Sequence, residues 1–325
     1  MITSSSAKLK LLSRFGHIYV LMKKKRVPKV IVVEPTNMCN LRCPVCPTHF
    51  AMKRERGMMK LRLFRQIIDE FGPLPKKPEI QFRMSGEPLL HPEIAELVRY
   101  AGTKGHSTMI SSNGTLLSEH LSRDLIEANL NEMVLALDGF SKESYEAYRR
   151  GARFEKVVEN IERFAAVRKK LRKARPKLVI QTLLTSGSEG ETDSIKEWAQ
   201  SIGADQVNFK SLSMGIYTTP EMKDHYGYLM PRQGSLQRVE THKTRYCLAP
   251  LKHVMIYWNG DLGLCCKDFD NNAGLPSLVD NGFLKTFHSN EVQQKRDRGV
   301  HREHELCKRC DMDRFSFKGF SVKLT

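Results

Sequence analysis

The sequence predicts an α/β fold: six successive β/α units in a parallel sheet, open or curved into part of a barrel, followed by a small cysteine-rich segment. Three observations predict it. Between residues 29 and 213 short β-branched runs alternate with longer amphipathic stretches, the pattern of parallel strands joined by helical crossovers. After residue 214 the alternation stops, and Pro220, Gly227, Pro231, Gly234 and Pro250 punctuate the chain. The eight cysteines fall into two groups, three before residue 47 and five after residue 246.

Taken in order, strands are expected over residues 30–34, 79–84, 107–111, 133–138, 178–185 and 206–212. Helices are expected over 63–71, 93–103, 121–128, 154–170 and 192–201, each with apolar residues at three-to-four spacing. Six units are too few for a closed barrel of eight. The expected organisation is a basic N-terminal extension (1–28), the β/α domain (29–213), a linker (214–240) and a C-terminal domain (241–325).

Composition narrows the class. With 40% hydrophobic residues over 325 positions, the chain can bury a large core, which excludes a disordered tail or a disulfide-stapled miniprotein. No apolar run approaches the roughly 18 to 20 residues of a membrane-spanning helix. The N-terminus lacks the apolar stretch and cleavage site of a secretion signal, so a cytoplasmic protein is expected. Thiols stay reduced there, and clustered cysteines are then metal ligands or catalytic groups rather than disulfides.

Cys39, Cys43 and Cys46 follow the first strand in the spacing C-x3-C-x2-C. Loops at the C-terminal ends of parallel strands are where α/β proteins place their sites. A structural zinc takes four ligands and would need His49 or a distant group as the fourth. Three thiolates suit a four-iron cluster with one iron open. The loop resembles the signature of the radical SAM superfamily, over roughly residues 29–213. That resemblance implies a partial (β/α)6 barrel and a [4Fe-4S] cluster whose open iron chelates S-adenosylmethionine. It also implies reductive cleavage of that cofactor to methionine and a 5′-deoxyadenosyl radical. Val45 departs from the family, which often has an aromatic residue there beside the adenine.

Three further stretches carry the resemblance. Ser85-Gly86-Glu87-Pro88 is similar to the family's Gly-Gly-Glu-Pro, with Ser85 in the first glycine position. There Gly86 lets the backbone approach the ligand, and Glu87 is a local acceptor for the cofactor's ammonium. Ser112-Asn113-Gly114 is similar to a segment lining the same pocket, although Asn-Gly favours turns anywhere. Ala136-Leu137-Asp138-Gly139 with Arg149 downstream is similar to a Ser-Leu-Asp-Gly segment and its Arg, which hold the cofactor carboxylate. With Ala136 in place of that Ser, the contact falls to Arg149, and Arg150 is second choice. The implied cofactor-binding set is Ser85, Gly86, Glu87, Ser112, Asn113, Asp138 and Arg149.

The C-terminal group holds Cys247, Cys265, Cys266, Cys307 and Cys310, with a hairpin expected over residues 258–264. Four of these thiolates could close a site around zinc or a four-iron cluster, and spacing does not choose between them. The arrangement resembles the Twitch domain, a short form of the SPASM domain. That implies a cysteine-rich α+β domain, a β-hairpin plus helix, with one auxiliary [4Fe-4S] cluster on Cys247, Cys265, Cys307 and Cys310. Cys266 is surplus and is expected to be a buried small residue on the opposite face of the strand from Cys265.

The expected function is therefore a radical SAM oxidoreductase that dehydrogenates a small polar alcohol or amino sugar, with the auxiliary cluster accepting an electron. A peptide or protein modifier forming a thioether or carbon–carbon link is the alternative enzyme, and a zinc protein binding nucleic acid is the alternative of another class. Gln181, Asn208 and Lys210 are candidates to point into the barrel, and burial could lower the pKa of Lys210 enough for it to accept a proton. The net charge of +17, concentrated over residues 8–26, 163–177 and 295–309, suits an acidic flavodoxin- or ferredoxin-like electron donor. A solvated helix face is the plainer reading of the second run. The apolar residues interleaved in the first could pack on the barrel or lie at a membrane surface. No aromatic-studded nucleic-acid motif accompanies the basic residues.

Overall fold

The structure is a computed structural model describing residues 26–212, 214, 217–232, 239–240, 246–310, 315–316 and 319–324. Most of the basic N-terminal extension lies outside the described residues. Six strands form a parallel run: β1 (Val30–Val33), β2 (Glu79–Phe82), β3 (Thr108–Ser112), β4 (Glu132–Ala136), β5 (Lys177–Leu184) and β6 (Gln206–Ser211). Helices α1 (Pro47–Phe50), α2 (Leu61–Glu70), α3 (Ile94–Thr103), α4 (Glu119–Glu127), α5 (Lys142–Tyr148), α6 (Phe154–Lys170) and α7 (Thr192–Ser201) lie between them. Each strand turns alternate residues to opposite faces. Ile31, Val33, Ile80, Phe82, Ile110, Leu135, Ile180 and Phe209 pack into the core shared with the helices. Met109, Val134 and Val179 make a small apolar floor on the other face, inside the curve.

Helix α5 was not anticipated. Its signal is local: Ser141 and Ser144 form a reciprocal capping box, each side chain serving the other's backbone N–H. The segment expected as a linker contains α8 (Pro220–Tyr226), N-capped by Thr219.

The sheet is larger than the six strands expected. Among the described residues it has nine strands, with the six in the order β6-β5-β4-β3-β2-β1 and further strands at both ends, and it stays open, so the fold is an unclosed barrel. After β7 (Val239–Glu240) and α9 (Ala249–Lys252), strand β8 (His253–Ile256) pairs in parallel with β1, and β9 (Leu262–Gly263) returns antiparallel to β8. The expected hairpin is thus present, but it extends the main sheet. The chain continues through α10 (Gly282–Phe287), α11 (Asn290–Val300), α12 (Glu305–Arg309) and β10 (Phe315–Ser316), which pairs with β7. Strand β11 (Phe320–Lys323) then covers the free edge of β6 in antiparallel register. Both edges of the six-stranded unit would otherwise expose unpaired backbone groups, and C-terminal strands satisfy them.

The C-terminal part is also bolted to the first helices. Glu70 at the end of α2 accepts from the backbone N–H of Phe283 (2.7 Å) and Leu284 (2.8 Å), capping α10 from outside, and Phe71 packs edge-on against Phe283 at 4.7 Å. Among the described residues no helix is long and apolar enough to cross a membrane.

Candidate active site

The loop carrying the first three cysteines leaves β1 at Glu34, whose carboxylate is completely buried. Arg54 grips it in two-pronged fashion, Nη1 to Oε1 at 3.0 Å and Nη2 to Oε2 at 2.8 Å, while its guanidinium lies 4.0 Å from the ring centroid of Tyr257. Burial nonetheless pushes the pKa of Glu34 above the ordinary carboxylate value. Trp258 fills the space left by the absent side chain of Gly57. The hairpin from the C-terminal part therefore buttresses the cysteine loop.

Within the loop, Asn37 donates from Nδ2 to the Glu55 carbonyl (2.7 Å) and accepts at Oδ1 from the Gly57 N–H (2.9 Å). Arg56 donates to the carbonyls of Asn37 (2.8 Å) and Thr48 (2.6 Å). These braces fix the backbone that presents Cys39, Cys43 and Cys46. Those three thiols line one cavity of about 540 Å³ together with Gly86, Glu87, Ser112, Asn113, Ala136, Arg149, Gln181 and Arg83. Most of the expected cofactor-binding residues are thus brought together.

Gly86 sits at φ +74°, a conformation that favours glycine, and a Cβ there would collide with the carbonyl oxygens of Thr36 and Met38. This close approach lets the backbone N–H of Glu87 donate to the Met38 carbonyl at 2.8 Å, fastening the second loop to the first. The Glu87 carboxylate is buried and already accepts from the Leu89 N–H (3.0 Å), the Ser112 hydroxyl (2.7 Å) and the Asn113 N–H (2.7 Å). Of the four acceptor positions of a carboxylate, one is left. Glu87 therefore knits the ends of β2 and β3 together, which the sequence did not reveal. Asn113 in turn donates to Asn40 Oδ1 at 3.0 Å, reaching back to the cysteine loop.

Arg149 reaches the cavity from beyond α5. Its Nε donates to Asp138 Oδ2 at 2.5 Å, and its Nη1 lies 3.9 Å from Cys43 Sγ. Asp138 is outside the cavity wall; its second oxygen accepts from the Leu183 N–H at 2.7 Å. Ser85 is likewise buried beside Glu34 rather than in the wall, within hydrogen-bonding reach of that carboxylate. Arg150 turns away, with its guanidinium over the Tyr226 ring at 5.5 Å. Lys210 stands one residue behind the wall and donates to Gln181 Oε1. Sequence reasoning missed Arg83 and Arg56, isolated arginines outside every recognisable motif.

In the C-terminal group Cys265, Cys307 and Cys310 are buried and Cys247 half-buried. Cys247 lies within electrostatic reach of Cys265, Cys307 and Cys310, so the four share one region. The Cys247 N–H donates to the Val300 carbonyl at 2.8 Å, fixing that thiol against α11. Cys266 is exposed, not buried as expected. Strand β9 stops at Gly263, so the alternation of faces does not extend to residues 265 and 266. Among the described residues no three His, Cys, Asp or Glu side chains converge on a single-ion geometry.

Residues 33–174 match the radical SAM superfamily, and residues 247–311 match the SPASM iron–sulfur cluster-binding domain. The chain thus carries a radical SAM domain followed by a C-terminal SPASM-type domain, the arrangement of a radical SAM enzyme. It is 25% identical over 259 residues to the tungsten-containing aldehyde ferredoxin oxidoreductase cofactor-modifying protein of Pyrococcus furiosus, covering 74% of this chain and 71% of that one. It spans only 46% of a GTP 3′,8-cyclase from Chlorobaculum tepidum, to which it is 35% identical over 164 residues. Its fold is similar to that of BtrN, crystallised with AdoMet and 2-DOIA (TM-score 0.57, 18% identity, 88% of this chain and 94% of that chain). It is also similar to Streptococcus suis SuiB bound to S-adenosylmethionine (TM-score 0.63, 15% identity, 91% and 74%). The zinc alternative is thereby set aside: the two domains imply an S-adenosylmethionine-binding [4Fe-4S] cluster and an auxiliary cluster.

The residues present fit those groups. Three thiols and the glycine cradle of Gly86 face one cavity, and burial pushes the Cys43 pKa up to about 11, so its thiolate needs a cationic partner. Iron supplies one and Arg149 another. Burial likewise pushes Cys307 up to about 11 in the C-terminal group.

Proposed function

We propose that this enzyme dehydrogenates a small polar molecule, an alcohol or amino sugar, inside the partial barrel, using the auxiliary cluster as electron acceptor. The observation that supports it is the convergence of Cys39, Cys43, Cys46, Gly86, Asn113 and Arg149 on one 540 Å³ cavity, a volume suited to a nucleoside cofactor and a small substrate. Cys39, Cys43 and Cys46 would hold a cluster that, with S-adenosylmethionine bound, would supply the radical chemistry for removing a hydrogen atom from the substrate.

The chain's own residues position the reactants. Arg149, oriented by Asp138, has guanidinium N–H groups left to meet the cofactor carboxylate, and the remaining acceptor position of Glu87 can meet its ammonium. Asn113 and Ser112, fastened through Glu87, hold the wall of the cavity. Removal of a hydrogen atom, a proton and an electron makes the net reaction a two-electron oxidation. Lys210, expected from the sequence as a proton acceptor, has its pKa lowered first by burial and then by the nearby Arg83 charge, a setting that a bound anion would reverse. An acidic electron donor would suit a chain of net charge +17.

The test is a mass-spectrometric screen of reconstituted, reduced enzyme with S-adenosylmethionine and candidate polyols, amino sugars and peptides. The reading expects a small-molecule product two hydrogens lighter, formed with one 5′-deoxyadenosine. Loss of two hydrogens from a peptide, and from no small molecule, would replace it with the peptide-modifying alternative.

A further inference from the structure

The curve of the sheet holds two cations, Arg83 and Lys210, that pair with no acid among the described residues. On the inner face the side chains run Glu79 and Gln81 of β2 and then Arg83, the residue after it. On β5 they run Val179, Gln181, Leu183, and on β6 Gln206, Asn208, Lys210, with Gln181 opposite Asn208 and Leu183 opposite Lys210. Arg83 and Gln181 line the same cavity, and Lys210 donates to Gln181 Oε1 from behind that wall. The Arg83 charge is felt at Lys210, so the two cations bear on one region.

Among the described residues neither is part of an ion pair. Arg83 uses Nε on Gln81 Oε1 at 2.7 Å, and among the described residues both terminal nitrogens of its fork lack a protein acceptor. Lys210 spends one of its three donors on Gln181. The acidic groups within electrostatic reach, Glu79 and Cys266 for Arg83 and Asp138 for Lys210, are not in contact with them. Asp138 is committed to Arg149 and the Leu183 N–H. Half-burying a guanidinium and an ammonium within reach of each other's charge is unfavourable twice, through desolvation and through mutual repulsion. Both penalties are relieved when an anion enters between them.

Resting on the function proposed above, we propose that the substrate carries an acid group, a carboxylate or a phosphate, held by the fork of Arg83 and the ammonium of Lys210. The fork matches either oxyanion in two-pronged geometry, and Lys210 adds a point charge from β6, with β3, β4 and β5 between it and β2. Gln181 orients the lysine. Lys210 then stays protonated as an anchor and is not the proton acceptor of the reaction. The substrate class narrows from polar alcohols in general to hydroxy acids or phosphorylated polyols.

The test is equilibrium binding at constant ionic strength to the iron-loaded enzyme with S-adenosylmethionine present. Radiolabelled inorganic phosphate and carbon-13 acetate serve as separate probes, so the two anion sources are distinguished. The proposal expects one saturable site for at least one probe, weakened about tenfold or more in Arg83→Gln and again in Lys210→Gln. The charge-keeping variants Arg83→Lys and Lys210→Arg should retain binding, which separates loss of charge from loss of fold. The exposed Lys170→Gln should bind as the wild type does. Absence of a saturable site for both probes would overturn the proposal, as would equal binding by wild type and the Arg83→Gln/Lys210→Gln double variant. Equal binding would assign Arg83 to the counter-charge of the C-terminal thiols. Formation of 5′-deoxyadenosine by the wild type, assayed in parallel, reports on the underlying function, so the two readings can fail separately.

Discussion

Arg149 is held by Asp138: Nε meets Oδ2 at 2.5 Å, the carboxylate is 1% exposed, and the far end of the guanidinium points toward Cys43 Sγ at 3.9 Å. Asp138 follows β4 by two residues, and its other oxygen accepts from the Leu183 N–H. A single buried carboxylate thus sets the aim of the cation facing the cysteine loop, and Asp138 acts as a positioning residue.

Asp138→Asn keeps an acceptor for Leu183 and removes the charge that orients Arg149. The dissociation constant for S-adenosylmethionine should rise on the order of tenfold, measured by equilibrium dialysis with iron content held equal. An unchanged constant would show that Arg149 needs no carboxylate to find its position.

Gly86 and Gly114 share φ +74°, but only at Gly86 would a Cβ meet backbone oxygens. Gly114→Ala should therefore cost roughly 1 to 2 kcal/mol of backbone strain. Gly86→Ala should cost more and displace the Glu87–Met38 junction, abolishing cofactor binding. Thermal unfolding and S-adenosylmethionine binding, compared between the two variants, check this ordering.

Breaking the buried Glu34–Arg54 pair from one side should destabilise the protein by about 3 to 5 kcal/mol at neutral pH, while Glu34→Gln with Arg54→Met should recover much of it. The sign of the pH dependence follows from burial. The folded carboxyl holds its proton more tightly than an unfolded one with the ordinary value of 4.5. Its protonation stabilises the fold fully below that value, and the contribution is lost as pH rises through the folded pKa. Urea unfolding from pH 4 to 7 should show this slope in the wild type and its loss in Glu34→Gln.

Reconstituted enzyme should hold about eight irons, four per cluster. Replacing Cys307 and Cys310 by Ala should lower this to about four, leave cleavage of S-adenosylmethionine measurable and stop substrate oxidation. Continued oxidation would remove the auxiliary cluster from the role of electron acceptor.

Much of this was legible in the sequence because it is local. The β/α alternation is a periodicity within each element, and Cys39, Cys43 and Cys46 lie on one short loop, as do Gly86 and Glu87. What was not legible depends on partners far apart in the chain. Glu34 and Arg54 read as ordinary charged residues until the loop folds back, and β8 and β11 are too short to announce that they close the sheet's two edges. Arg83 follows β2 by one residue, and no motif distinguishes it from a solvated arginine; only the inward face of the curved sheet gives it meaning. The misplacement of Cys266 has the same origin. Strand alternation was extended past the point where β9 ends, and strand ends are set by the partner strand rather than by the residues themselves.

The central claim is tested most directly by 5′-deoxyadenosine, quantified after anaerobic reduction of iron-loaded enzyme with S-adenosylmethionine, in the wild type and in Cys43→Ala. Formation by the wild type and none by Cys43→Ala is the predicted result. No 5′-deoxyadenosine from the fully iron-loaded wild type, or equal amounts from both proteins, would contradict it.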